Sequence, residues 1–185
     1  STPMDLAEDI SKSLAKVAMI AKVDGQDWDL MRPLPGDCSV ALITRKDEEA
    51  LEVIRHDTAH ILAQAVQELF PGTQVTIGPS IEDGFYYDFA RDEPFSTEDF
   101  EAIEKRMGEI VDADLPFKRE EMDRDAAIAM FENMGELYKA ELIRDLPADE
   151  TITIYRQGEW LDLCRGPHLT LTGKMRQDVQ PNTGG

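Results

Sequence analysis

Cysteine is scarce in this 185-residue chain, which holds only Cys38 and Cys164, far apart in sequence. That excludes a disulfide framework and fits a reducing cytosol. Basic charge is short as well: 19 Lys and Arg stand against 38 Asp and Glu, a net charge of −19. Such a surface repels phosphate and argues against broad, non-specific nucleic-acid binding, although another part of a larger protein could still hold a nucleic-acid substrate. No apolar run reaches the roughly 18 residues of a membrane span, and no signal-peptide pattern or internal repeat is present. Histidine is limited to His56, His60 and His168. What is plentiful is ordinary core material: 42% of the residues are hydrophobic, enough for one or two domains.

Taken in order, Thr2-Pro3-Met4-Asp5 reads as a helix start, with a Thr cap, Pro in the first turn and an early acid. Val17 to Val23 reads as a strand followed by an Asp24-Gly25 turn, and Cys38 to Thr44 as a second, buried strand. This opening module is mixed α+β and too short to close a core alone. The longest helical pattern runs from about Asp47 to Phe70, with Leu51, Ile54, Ile61, Leu62, Ala65, Val66 and Leu69 as its apolar stripe and Pro71-Gly72 as its stop. Strands are expected at Gln74 to Ile77 and Phe85 to Phe89, joined by a loop over 78–84. A capping-box-like Ser96-Thr97-Glu98-Asp99 opens a helix to about Asp112, and Asp123 caps a shorter one. Glu136 to Leu146 is helical and carries Lys139, and Thr151 to Arg156 pairs with Trp160 to Cys164 as a hairpin. Ser1 and Pro181-Asn182-Thr183-Gly184-Gly185 look like cut edges rather than natural termini.

The chemistry concentrates in two short units. His56 and His60 lie four apart on the long helix, hence on one face with β-carbons roughly 5–6 Å apart. Cys164 and His168 are also four apart, on a loop leaving the last hairpin, where site residues tend to lie. Three imidazoles and a thiol suit zinc, which takes Cys sulfur and His nitrogen. They equally suit a metal-free polar pocket in which neutral His positions a water. A buried core histidine and an inert thiol are the plain alternative.

With these residues in view, the chain resembles the bacterial threonyl-tRNA synthetases, and only their N-terminal part. Residues 1–44 are similar to the second half of the TGS domain, a β-grasp module whose first hairpin is missing, and residues 45–185 to the editing domain. The resemblance is carried by Arg55-His56-Asp57-Thr58-Ala59-His60, Ile77-Gly78-Pro79, Gly84-Phe85-Tyr86-Tyr87-Asp88, Tyr138-Lys139 and Asp162-Leu163-Cys164-Arg165-Gly166-Pro167-His168. Each piece is weak singly; in this order they are specific. The paired H-x3-H and C-x3-H units also occur in the related alanyl-tRNA editing domains. The implied fold class is α+β: a partial β-grasp module, then an editing domain with a mainly antiparallel sheet and a long helix carrying H-x3-H. Nothing after His168 resembles the class II catalytic core, and the tail from Leu169 departs from the family's run into it.

The resemblance implies hydrolysis of the ester joining serine to the terminal adenosine of tRNA(Thr). Serine lacks one methyl of threonine, and a missing methyl is worth only about 1–3 kcal/mol of discrimination, so a second, hydrolytic site is needed. By the same resemblance, Lys139 and His168 hold and activate the water, while His56, His60 and Cys164 line the pocket. Tyr87 meets the amino-acid or ribose end, Asp162 the seryl amine or a histidine, and Arg165 a phosphate of the acceptor end or a surface acid. No metal is expected, although His56, His60, Cys164 and His168 would suit zinc. ATP, Mg and the synthetic-site zinc belong to the missing catalytic domain. The implied partner is the aminoacylated 3′ end of tRNA with its seryl moiety, not a membrane; the implied full-length enzyme is a cytoplasmic homodimer. Two alternatives stay open: a free-standing zinc-dependent deacylase of the alanyl-tRNA editing type, and a non-catalytic tRNA-binding or assembly module.

Overall fold

The first residues of the chain fold as their caps dictate. In the computed structural model, which describes residues 1–81 and 84–177 and no side chain from 77 to 87 or beyond 175, Thr2 and Asp5 form a reciprocal capping box on α1 (Pro3–Ile10). Ser11 then accepts from Leu14 N at 3.1 Å and starts α2 (Lys12–Val17). β1 (Ala18–Val23) turns through Asp24 and Gly25, both at positive φ, into β2 (Gln26–Trp28). That is the backbone conformation a two-residue antiparallel turn demands. β3 (Val40–Thr44) flanks β1 on its other edge, giving the order β2-β1-β3.

β1 is buried on both faces. Ala18 and Ala21 pack with Leu30 in a small cluster that Met4, Trp28, Val40 and Leu42 cover. Met19 and Ile20 instead join the largest core, with Ile43, Ala50, Val53, Ile61, Ala65, Val66, Ile103, Ile110, Leu169 and Met175. The opening stretch therefore completes its core against the rest of the chain.

α3 (Glu48–Leu69) is the long helix the sequence predicts. Ile61, Ala65 and Val66 of the expected stripe are buried and Ile54 and Leu62 pack on the core, but the buried face is wider than that stripe and leaves out its two ends. Leu51 is 48% exposed and Leu69 38% exposed, whereas Ala50, Val53, Ala59 and Ala63 are buried along with polar Asp57, His60 and Gln64. The helix is covered from more than one side, and alanines there let neighbours approach closely. A stripe read only from large aliphatics misses that face. The stretch expected as a loop over 78–84 is also different. β4 (Gln74–Ile81) and β5 (Gly84–Ala90) stay paired up to Ile81 opposite Gly84, with a register irregularity between Ile77 and Ser80. Pro79 lies in that interval and has no N–H for the ladder, which is where a bulge is tolerated.

α4 (Thr97–Asp112) opens with a capping box between Ser96 and Asp99 and buries Ile103 and Ile110. β6 (Phe117–Met122) has no counterpart in the sequence reading. Its Lys118-Arg119-Glu120-Glu121 core lacks any apolar alternation, because it is an edge strand whose charges find partners, as Arg156 Nε does with Glu120 at 2.9 Å. α5 (Arg124–Asn133), capped by Asp123, and α6 (Leu137–Asp145) pack with β7 (Ile152–Gln157) and β8 (Trp160–Leu163) around Ala127, Phe131, Ala140, Ile143, Ile152, Ile154 and Leu161. The sheet order is β6-β7-β8, and every strand pair among the described residues is antiparallel. The α+β class stands; among the described residues the opening module has its own small sheet, and the part after residue 44 has two, β4-β5 and β6-β7-β8, where one was expected. Residues 169–177 are tied to the fold: Leu169, Thr172 and Met175 are buried, and a 3-10 turn spans Thr172–Gln177.

Candidate functional site

α3 sets His56 and His60 on one face, with ring centroids 4.6 Å apart. β8 ends at Leu163, and the loop that follows brings Cys164 and His168 back over that face. Gly166 makes this return at φ +75°, and a β-carbon there would lie 2.1 Å from the Tyr155 hydroxyl oxygen, so only glycine fits. The Gly166-Pro167 peptide is cis. His168 ends 4.8 Å from the His56 ring and 4.5 Å from the His60 ring. The Cys164 Sγ lies 2.9 Å from His56 Nε2 and 3.3 Å from His168 Nε2, and it accepts from Gly166 N–H at 3.3 Å. One ligand atom from each of His56, His60, Cys164 and His168 lies within 4.8 Å of all the others. The two units read in the sequence do form one cluster, a group able to hold a metal ion.

A carboxylate sets the character of His168. Asp57, fully buried, has Oδ1 2.6 Å from His168 Nδ1, and its Oδ2 accepts from Leu169 N–H at 2.8 Å. This fixes Nε2 as the nitrogen facing the cluster. Burial opposes the His168 charge, but Asp57 and then Cys164 outweigh it and raise the imidazole to about 10. For Cys164, burial works against ionisation, yet His168 and then His56 bring the thiol down to about 6. Burial first, then the neighbouring His168, His56 and Lys139, hold His60 well below the usual histidine range. Its Nε2 has no hydrogen-bond partner among the described residues. At neutral pH the cluster thus holds a thiolate and a neutral imidazole as proton acceptors, and an imidazolium as donor.

Lys139 approaches from α6 on the opposite flank. Its Nζ is 2.8 Å from Asp162 Oδ1 and 4.0 Å from Glu136 Oε2, with both acids buried. Asp162 Oδ2 in turn is 3.9 Å from His60 Nδ1. Lys139 therefore reaches the imidazoles through Asp162, and Asp162 already has a cation. Together with Val75, Thr76, Tyr138, Leu142 and Leu163 the pair lines a cleft of about 250 Å³. His56 and Cys164 line a second, of about 360 Å³, with Arg165 among its walls. The Arg165 side chain is 78% exposed and ion-pairs with Glu150. The Tyr87 side chain lies outside the described residues.

Sequence reasoning gave no role to Asp57, although it sits between the two helix histidines; an acid on the buried side of a helix was the available signal. It also passed over a buried to partly buried network beside the site. Gln157 Nε2 donates to His60 O at 3.2 Å and to Gln64 Oε1 at 2.8 Å. Trp160 Nε1 donates to Gln67 Oε1 at 2.7 Å, and Gln67 Nε2 to Glu136 Oε1 at 2.7 Å.

Residues 1–44 match the TGS domain family, and residues 152–176 match the family described as the threonyl and alanyl tRNA synthetase second additional domain. This chain is similar to the N-terminal region of the threonyl-tRNA synthetases. It is 81% identical over 175 residues to the threonine–tRNA ligase of Maricaulis maris (strain MCS10), an alignment that covers 95% of this chain and 27% of that protein. The corresponding figures are 68% over 176 residues for Hyphomonas neptunium, covering 95% and 27%, and 65% over 178 for Caulobacter sp. (strain K31), covering 93% and 27%. The chain spans about 27% of the length of these curated relatives. The second match runs through residue 176, so residues 169–176 follow the family rather than departing from it. No described helix is long and apolar enough to cross a membrane.

Proposed function

We propose that this chain is the proofreading part of a cytoplasmic threonyl-tRNA synthetase, with residues 1–44 as a partial TGS-like domain and residues 45–185 as the tRNA-editing domain. It hydrolyses the ester of seryl-tRNA(Thr), while the remainder of the homodimeric enzyme, with ATP, Mg and its own zinc, ligates threonine to tRNA(Thr). The observation that most supports this is the convergence of His56, His60, Cys164 and His168 beside the buried Lys139–Asp162 pair, in a chain that matches the TGS family over residues 1–44 and the threonyl and alanyl tRNA synthetase second additional domain over residues 152–176.

Ester hydrolysis needs a held water, a proton acceptor and positive charge where the oxyanion develops. Lys139 and His168, as cationic donors, hold and orient the water. Asp57 orients His168 and keeps its charge, which then faces the developing oxyanion. His56, His60 and Cys164 line the pocket for serine and the terminal adenosine, and the Cys164 thiolate and neutral His60 are the proton sinks. Asp162 holds Lys139 in place and meets the seryl amine. Tyr87 contacts the amino-acid or ribose end, and Arg165, freed from Glu150, a phosphate of the acceptor end.

The donor set of His56, His60, Cys164 and His168 suits zinc, which when bound would acidify a water. We assign the site to water without a resident metal. Two tetrahedral zinc ligands, nitrogen and sulfur, sit roughly 3.5 Å apart. His56 and Cys164 are 2.9 Å apart, a hydrogen-bonded arrangement, whereas His168 and Cys164, at 3.3 Å, are close to that spacing. The deciding experiment is single-turnover deacylation of seryl-tRNA(Thr) and threonyl-tRNA(Thr). Fast loss of serine with threonine retained supports proofreading. Loss of neither leaves a binding module, and loss of serine only with added zinc selects the metal-dependent deacylase.

A further inference from the structure

Asp29 belongs to the opening module, just after β2, yet its side chain ends in the second module. Its Oδ1 accepts from the main-chain N–H of His168 at 2.8 Å, and its Oδ2 accepts from the Tyr155 hydroxyl at 2.5 Å. Tyr155 is buried on β7, with its ring 4.2 Å from the His168 ring. The same hydroxyl is the atom that denies Gly166 a β-carbon. One carboxylate thus grips the loop carrying Cys164 and His168 at its main chain, and grips the wall that this loop rests on.

The carboxylate is itself well anchored. Leu30, next in sequence, is fully buried, and its carbonyl accepts from Met4 N–H at 2.9 Å. On the far side, Trp28 Nε1 donates to Arg32 O at 3.1 Å while the Arg32 guanidinium stacks on the Trp28 ring. Around this contact the two modules are not in close packing: residues 29–33, 116–119 and 168–170 border a cleft of about 480 Å³. The loop position here depends on polar contacts. The docking of the modules as a whole depends elsewhere, on Met19, Ile20 and Ile43 in the large core.

We propose that Asp29 is a positioning residue of the hydrolytic site, a clamp from the opening module that sets where the Cys164–His168 loop presents His168. Asp57 orients the ring through Nδ1, and Asp29 fixes the main chain from which that ring projects. The hydrolytic site is then a product of both modules, and the opening module has a task in proofreading without touching the substrate. This rests on the proofreading reading above. Displacing a reacting group by about 1 Å can cost on the order of 10²-fold in rate.

The test uses this chain with seryl-tRNA(Thr), enzyme in excess, over a range of enzyme concentrations, so that the limiting rate and the half-saturating concentration separate. Failure of the unsubstituted chain to deacylate would overturn the proofreading reading and this clamp with it. Given an active parent, Asp29→Ala should lower the limiting rate by about 10- to 100-fold with half-saturation unchanged within about twofold. Asp29→Asn keeps an oxygen for His168 N–H and offers an amide to the Tyr155 oxygen, so it should stay within about threefold of the parent. Tyr155→Phe should cost less than Asp29→Ala, and the two together no more than Asp29→Ala alone. A folded Asp29→Ala protein at the parent rate would overturn the proposal, as would an Asn variant as slow as Ala. If Asp29→Ala does not fold, parent-like limiting rates in Tyr155→Phe and a tenfold loss in Asp29→Asn would overturn it instead.

Discussion

Replacing Cys164 by alanine separates two opposed proton equilibria. His168 is raised to about 10, chiefly by Asp57 once burial is overcome, so between pH 6.5 and 10 the folded chain holds a proton on His168 that the unfolded chain has lost. That favours the fold at the low end of the window and fades as pH rises through the folded value. Cys164 is lowered from 9.0 to about 6, so between those values the folded chain has lost a proton that the unfolded chain keeps, which favours the fold increasingly as pH rises. Between about pH 6.5 and 9 the two contributions have equal and opposite slopes, and this pair leaves the stability of the unsubstituted protein nearly level. Cys164→Ala removes one of them. Asp57 remains, at 2.6 Å from His168 Nδ1, and still favours the imidazolium in the folded state, although losing Cys164 lowers the upper end of that window. Stability of the variant should then fall by about 1.4 kcal/mol per pH unit, the worth of one proton, or roughly 2 kcal/mol between about pH 7 and 8.5. Urea unfolding of both proteins at constant ionic strength measures this directly. Parallel stability profiles for the two proteins across that window would refute the thiolate–imidazolium pair.

Lys139→Ala and His168→Ala should each slow deacylation of seryl-tRNA(Thr) by about 10²–10⁴, with the double variant little worse than the slower single one, as single-turnover assays with a circular-dichroism control would read. Chelation should leave the rate unchanged and elemental analysis of active protein should find no stoichiometric zinc; the contrary pair of results would move His56, His60, Cys164 and His168 to a metal centre. Gly166→Ala puts a β-carbon against the Tyr155 hydroxyl at a backbone φ of +75°, and should destabilise the protein by about 1–3 kcal/mol in thermal or urea unfolding while slowing hydrolysis.

Much of the site was legible in the sequence because its signals are local. Two histidines at helical spacing must share a face, and the capping residues Thr2, Ser96 and Asp123 start helices by bonding groups three residues away. β6 was not legible, because an edge strand of Lys118-Arg119-Glu120-Glu121 has no buried alternation to reveal it. The exposed Leu51 and buried Ala50 of α3 were misjudged for a related reason. Burial depends on which neighbours arrive, and alanine at a close helix contact carries little hydrophobic signal.

The sequence by itself determined the helix that carries His56 and His60, the hairpin that delivers Cys164 and His168, and the excess of acid over base. These are properties of neighbours along the chain. Only the tertiary structure decided which charges those groups carry and what holds them. Asp57 to His168, Lys139 to Asp162 and Asp29 to both Tyr155 and the His168 main chain are contacts of about 3 Å or less. Asp57 and Asp162 are buried as well, where an unpaired charge is costly, and each has a partner across the fold. Asp29 meets His168 across 139 positions of sequence, and no local pattern encodes a meeting that exists only once two modules have packed together.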